Sequence, residues 1–183
     1  MGGHHGYSCR GNGRSKHGGK TKKRKRETTS PGSIPSPNQM TRHHLVPKSR
    51  IPYEHRGSKG HENIRKVVRW RHEAWHNVFG NKTPIEVVDM LWRLAPAGYF
   101  ETFDVSMSWW GQRVSLSLES HEQTEFMADW GDKKFLAWKA LFGSRSLVLV
   151  LAEVLREWAP DGYFTRYSIV AYDSGAWYKV RHF

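Results

Sequence analysis

Ala74-Trp75-His76-Asn77-Val78-Phe79-Gly80 returns 63 residues later as Ala137-Trp138-Lys139-Ala140-Leu141-Phe142-Gly143. After one inserted residue, Ala95-Pro96-Ala97-Gly98-Tyr99-Phe100 matches Ala159-Pro160-Asp161-Gly162-Tyr163-Phe164 at an offset of 64. The phase then holds through Val105/Ile169, Gly111/Gly175 and Leu116/Val180, and upstream Glu62 falls on Glu125 and Ile64 on Met127. Self-similarity at a fixed period decides the fold before any single element does. Two copies of one unit fill most of residues 62–183.

Each unit reads as strand, helix, helix, hairpin. A short strand is expected at Asn63–Val68 and at Phe126–Trp130. A helix follows, Arg71–Phe79 or Lys133–Phe142, and Gly80 or Gly143 stands where a helix C-terminus needs a residue that tolerates positive φ. Thr83-Pro84-Ile85-Glu86 then offers a Thr N-cap, Pro at the first helical position and Glu at the third, a capping box. Ser146 takes the Thr position in the second copy. Ile85, Val88 and Trp92 share one helix face, repeated by Val148, Leu151 and Leu155. Ala95-Pro96 and Ala159-Pro160 stop these helices. A hairpin closes each unit: Tyr99–Met107 with Arg113–Leu118, and Tyr163–Tyr172 with Ala176–Phe183, the latter turning at Asp173-Ser174-Gly175. The class expected is α+β. Trp109-Trp110 and Trp177-Tyr178 fall in these hairpins, where they either fill the core or stand exposed to stack on bases.

Residues 41–61 precede the first copy and have no counterpart before the second. Where this extra segment meets copy one, His43, His44, Asn63, His72 and His76 gather. His72 and His76 are four apart on an expected helix, so both imidazoles project from one face, a spacing that suits two ligands of one divalent ion. Adjacent strand residues point to opposite sides, so His43 and His44 can reach one site only at a bend or strand end.

This pattern resembles the HNH nucleases, also called the ββα-metal or His-Me finger family, over about Arg42–Gly80. The matching residues are His43-His44-Leu45-Val46-Pro47-Lys48-Ser49, Glu62-Asn63-Ile64 and His72-Glu73-Ala74-Trp75-His76, with the Asn-to-His gap of nine and His-to-His gap of four of the Cys-free, colicin-type branch. The resemblance implies a small ββα-metal finger ahead of the degenerate tandem repeat. It implies one divalent metal ion (Mg, Zn or similar) on His43, His72 and His76. It makes His44 the general base that activates water against a phosphodiester, and Asn63 the residue that holds the His44 ring through its backbone or side-chain amide. A neutral imidazole with a pKa near ~6.5 suits that task. Nucleic acid is the implied partner, DNA ahead of RNA. The Gly pair that often follows the Ser is replaced by a longer loop, Arg50–His61, carrying Arg50, Arg56 and Lys59. Copy two has Phe126, Phe135 and Lys139 in place of Asn63, His72 and His76, and so no metal set.

The charge is as uneven as the chemistry. The chain of 183 residues has a net charge of +12. Residues 1–60 carry fourteen Lys and Arg against Glu27 and Glu54, whereas residues 61–183 carry fifteen cations and fifteen acids. The whole excess therefore precedes the repeats, and it marks a polyanion-binding arm. The arm, residues 1–40, is expected to be disordered. It contains Lys20-Thr21-Lys22-Lys23-Arg24-Lys25-Arg26, a run that also suits nuclear import or simple solubility. Units are expected at 41–120 and 121–183. Arg24, Lys25, Arg26, Arg42, Lys48 and Arg50 are the candidate nucleic-acid contacts. Cys9 is the single cysteine, which excludes an internal disulfide or a multi-Cys zinc site. The longest apolar run, Leu147–Ala152, is too short to span a bilayer, and a soluble intracellular protein is expected, in cytoplasm, nucleoid or nucleus. Three other readings compete. His72-Glu73-Ala74-Trp75-His76 also fits the H-E-x-x-H zinc-protease pattern, with Glu73 as base. The histidines could serve a metal-free fold. An HNH-like fold without cleavage could bind structured RNA, as in a ribosome.

Overall fold

The computed structural model describes residues 36–56, 62–120 and 126–183. The basic run with Arg24, Lys25 and Arg26 lies outside the described residues, as does Lys59. The class is α+β, as expected, with four helices and two antiparallel sheets among the described residues. Strand β1 (Met40–His44) pairs with β2 (Ile64–Val68), Met40 opposite Val68 and His44 opposite Ile64. β2 runs straight into α1 (Arg69–Phe79), which starts two residues earlier than the sequence suggests.

Helix α2 (Pro84–Arg93) starts as its capping box dictates: the Thr83 backbone N–H donates to Glu86 Oε2 at 2.7 Å. β3 (Phe100–Trp109) and β4 (Gln112–Ser117) form the first hairpin. The second half supplies α3 (Asp132–Phe142), α4 (Leu147–Glu157), β5 (Phe164–Asp173) and β6 (Ala176–His182). The strand expected at Phe126–Trp130 is absent; a 3-10 turn at Met127–Asp129 stands there. The reason is pairing. β2 satisfies its backbone groups against β1, and the second half has no counterpart of residues 41–61 to serve as partner.

The larger sheet has the order β4-β3-β5-β6, with β3 and β5 antiparallel at its centre. α1 packs on α3 and α2 on α4. Phe79 and Phe142, at the two helix ends, meet edge to face with centroids 6.1 Å apart. The buried apolar residues of both halves form one cluster, from Val46 to Val180. α2 and α4 lie deepest: Val87, Val88, Leu91, Val148, Val150, Leu151 and Val154 are fully covered. Each such side chain stabilises the fold by about 1.5–3 kcal/mol. Among the described residues no single helix is long and apolar enough to cross a membrane.

Candidate metal centre

β1 delivers two neighbouring histidines to opposite sides. His43 is buried, at 1% exposure, and His44, the last residue of the strand, is half-buried. α1 delivers His72 and His76 on consecutive turns of one face. The rings of His43, His72 and His76 sit 4.8 to 5.3 Å apart, and one ligand nitrogen from each lies within 4.8 Å of the other two. Among the described residues this is the one cluster of three or more His, Cys, Asp or Glu side chains suited to an ion.

Hydrogen bonds fix which nitrogens are free. The Gly80 carbonyl can only accept, so His76 donates from Nδ1 to it at 2.8 Å. Thr41 donates its one hydroxyl proton to the Val67 carbonyl at 3.2 Å, so at 3.1 Å it accepts from His72 Nδ1. Both rings therefore keep a lone pair on Nε2, in the manner of metal-ligating histidines held by an outer acceptor. His43 Nδ1 is buried and has no hydrogen-bond partner. A buried polar atom left unsatisfied is costly and rare. A shared cation is the partner such an atom needs, so the residues present fit one.

Burial and mutual repulsion disfavour the charged forms of His43 and His72. Burial first, then the neighbouring His72 and His76, push the His43 pKa down to about 3. Burial and His76 lower His72, against the pull of Glu73. Burial and Lys48 lower His44, leaving it an unprotonated base at neutral pH.

The second half of the chain builds the rear wall. Trp158 stacks on Trp75 at 3.8 Å and meets His43 edge to face at 5.3 Å. Trp158 is held in turn: its Nε1 donates to Glu153 Oε1 at 3.0 Å, and Arg71 of α1 bonds the same oxygen at 2.8 Å. Arg145 completes the cage around Glu153.

His44, His72 and His76 line one cleft of about 290 Å³ together with Arg42, Lys48 and Asn81. The structure thus brings two of the expected nucleic-acid contacts, Arg42 and Lys48, to the histidines. Arg50 lines a separate cavity and pairs with Glu86 at 3.1 Å. Asn63 is buried, and its side chain and backbone carbonyl bond the chain just after His44. It accepts from Val46 N–H at 2.6 Å and donates to Val46 C=O at 2.7 Å, while its own carbonyl accepts from Leu45 N–H at 3.0 Å. A buried amide must satisfy both its ends, and the chain turning away after His44 offers both groups. Asn63 therefore sets His44 by fixing the exit from β1. Glu73, the base of the zinc-protease reading, is exposed, pairs with Arg69 at 2.6 Å and is not among the residues lining the cleft.

Thr41, Asn81 and Trp158 were not marked by the sequence. Thr41 and Asn81 are single polar residues flanking recognised pieces, and Trp158 comes from the second half of the chain. In that half the matched positions carry Phe126 and Phe135, exposed, and Lys139, whose ammonium lies 5.6 Å from the Phe135 ring. No family model, curated protein or solved structure matches this chain.

Proposed function

We propose that the chain is a metal-dependent nuclease of the ββα-metal kind, with β1, β2 and α1 as the finger and the duplicated units as its scaffold. What supports the reading is the convergence of three histidines, one with a buried unpartnered nitrogen, beside a cleft where two of them, His72 and His76, meet His44 and two cations. His43, His72 and His76 would hold one divalent ion, which supplies positive charge against the charge that builds on a phosphoryl group. His44 takes a proton from water, whose oxygen attacks phosphorus as the bond to the leaving oxygen breaks. Arg42 and Lys48 hold the flanking phosphates. Asn63 keeps His44 at the strand end where it can do this.

Incubation with supercoiled plasmid and divalent metal should give nicking that a chelator stops. His44→Ala should lose nicking by at least about 100-fold, within the range that general-base catalysis supplies. Metal titration by calorimetry should still find about one ion on that variant, because the base is not a ligand. His76→Ala should weaken both. Wild-type nicking by His44→Ala, or absence of metal-dependent cleavage on DNA and RNA alike, would overturn the proposal.

A further inference from the structure

One face of the larger sheet packs on the helices, and the register shows what the other face carries. At its β5–β6 end Tyr172 stands opposite Trp177. The two rings are 5.1 Å apart and tilted by 55°, and the residues are 50% and 57% exposed. Large aromatic side chains this open are informative, since burying them is worth so much. Along β6 on the same face, Lys179 and then Arg181 follow Trp177, opposite Val170 and Ser168. Arg166 of β5 lies opposite Ser106, and Arg113 of β4 opposite Ser108. These four cations are exposed. Asp104, which Arg166 bonds at 2.5 Å, and exposed Glu101, at the β3 irregularity opposite Ala171 and Val170, are the neighbouring acids.

Hairpin stability alone does not account for the aromatic pair. A cross-strand aromatic pair stabilises a hairpin by about 0.2–1 kcal/mol. Yet the first hairpin, matched at an offset of 64, carries Ser108 and Arg113 at these positions and forms the same pairing. Around the rings lie Lys179, Thr102, Glu101 and the nearly covered Val170, so a greasy protein partner finds no continuous apolar patch there. Open rings flanked by positive charge match a strand that offers both bases and phosphates. We infer that this outward sheet face binds single-stranded nucleic acid, with Tyr172 and Trp177 as the stacking platform and Arg166, Lys179 and Arg181 on the phosphates.

The site is separate from the metal centre, so binding is measured on the full chain with chelator present. The probes are labelled oligothymidylate, oligouridylate and a duplex of equal length. The decisive variant is Tyr172→Ser with Trp177→Arg, which copies the first hairpin's own pair and adds a positive charge. Stacking predicts that single-strand affinity falls about tenfold or more, from about 1–3 kcal/mol per base, while duplex affinity holds or rises. Unchanged or raised single-strand affinity overturns the inference, as does an equal loss on the duplex. Trp177→Phe, a milder change, should keep most of the binding, and a full loss there would also count against stacking. Preference between the two single strands tells whether the ligand is DNA or RNA. Failure of this test leaves plasmid nicking untouched, and failure of nicking leaves this test standing.

Discussion

Thr41 shows how much of the metal centre depends on a residue that holds no metal. Its hydroxyl accepts from His72 Nδ1 and so fixes the tautomer that leaves Nε2 free. Thr41→Val keeps the shape and removes that acceptor, so metal affinity should fall by about 10–100-fold. Thr41→Ser should restore it. Calorimetric titration of both variants checks this, and equal loss in both would refute the hydroxyl's role. At this scale the sequence was informative where spacing is local. His72 and His76 declare themselves by four-residue periodicity, and His43-His44 by adjacency at a strand end. Thr41 acts across 31 residues, and no local pattern encodes such a contact. That Asn63 bonds Val46 on both sides was equally hidden, because only folded coordinates show which buried backbone groups an amide meets.

Helix ends were legible for the same local reason. Gly80 and Gly143 occupy matched C-terminal positions with φ of 61° and 62°, where a side chain is strained. Gly80→Ala and Gly143→Ala should each cost about 1–2 kcal/mol in chemical denaturation. Only Gly80→Ala should also weaken metal binding, because the Gly80 carbonyl orients His76. Matched metal affinities in the two variants would break that link. The second-copy strand was misread because repeat logic transfers a pattern and cannot supply a partner strand. The hairpin aromatics divided for a geometric reason: Trp109 is buried, Trp110 and Tyr178 are half-buried, and Trp177 is exposed. Alternation along a strand sorts neighbours to opposite faces, but which face the helices cover is settled by topology.

Across the whole molecule the halves exchange tyrosines. The Tyr99 hydroxyl, from the first half, accepts from Val148 N–H at 3.3 Å at the start of α4 and donates to Asp173 Oδ2 at 2.9 Å. The Tyr163 hydroxyl, from the second half, lies beside the Ile85 backbone and the Thr83 side chain at the start of α2. Burial foremost pushes both phenols up to about 12. The folded chain then keeps protons that the unfolded chain releases above pH 10, so this stability is complete below pH 10 and lost between 10 and 12. Tyr163, 2% exposed, should account for about 1.4 kcal/mol per pH unit in that window, and half-buried Tyr99 for less. Denaturation at several alkaline pH values checks this, and Tyr163→Phe should flatten the slope. This exchange and the shared sheet were not legible, since a sequence match between two segments says nothing of how they interlock. The order β4-β3-β5-β6 has one more consequence. Its central seam joins the two halves, so a backbone cut between Ser120 and Phe126 severs none of the described strands and leaves β3 and β5 each an edge with half a core beneath it. Two polypeptides ending and starting at such a cut should each fail to fold alone and should complement one another when co-expressed, recovering near-UV dichroism and metal binding in a one-to-one complex. Native dichroism from either fragment by itself would show that the seam is dispensable.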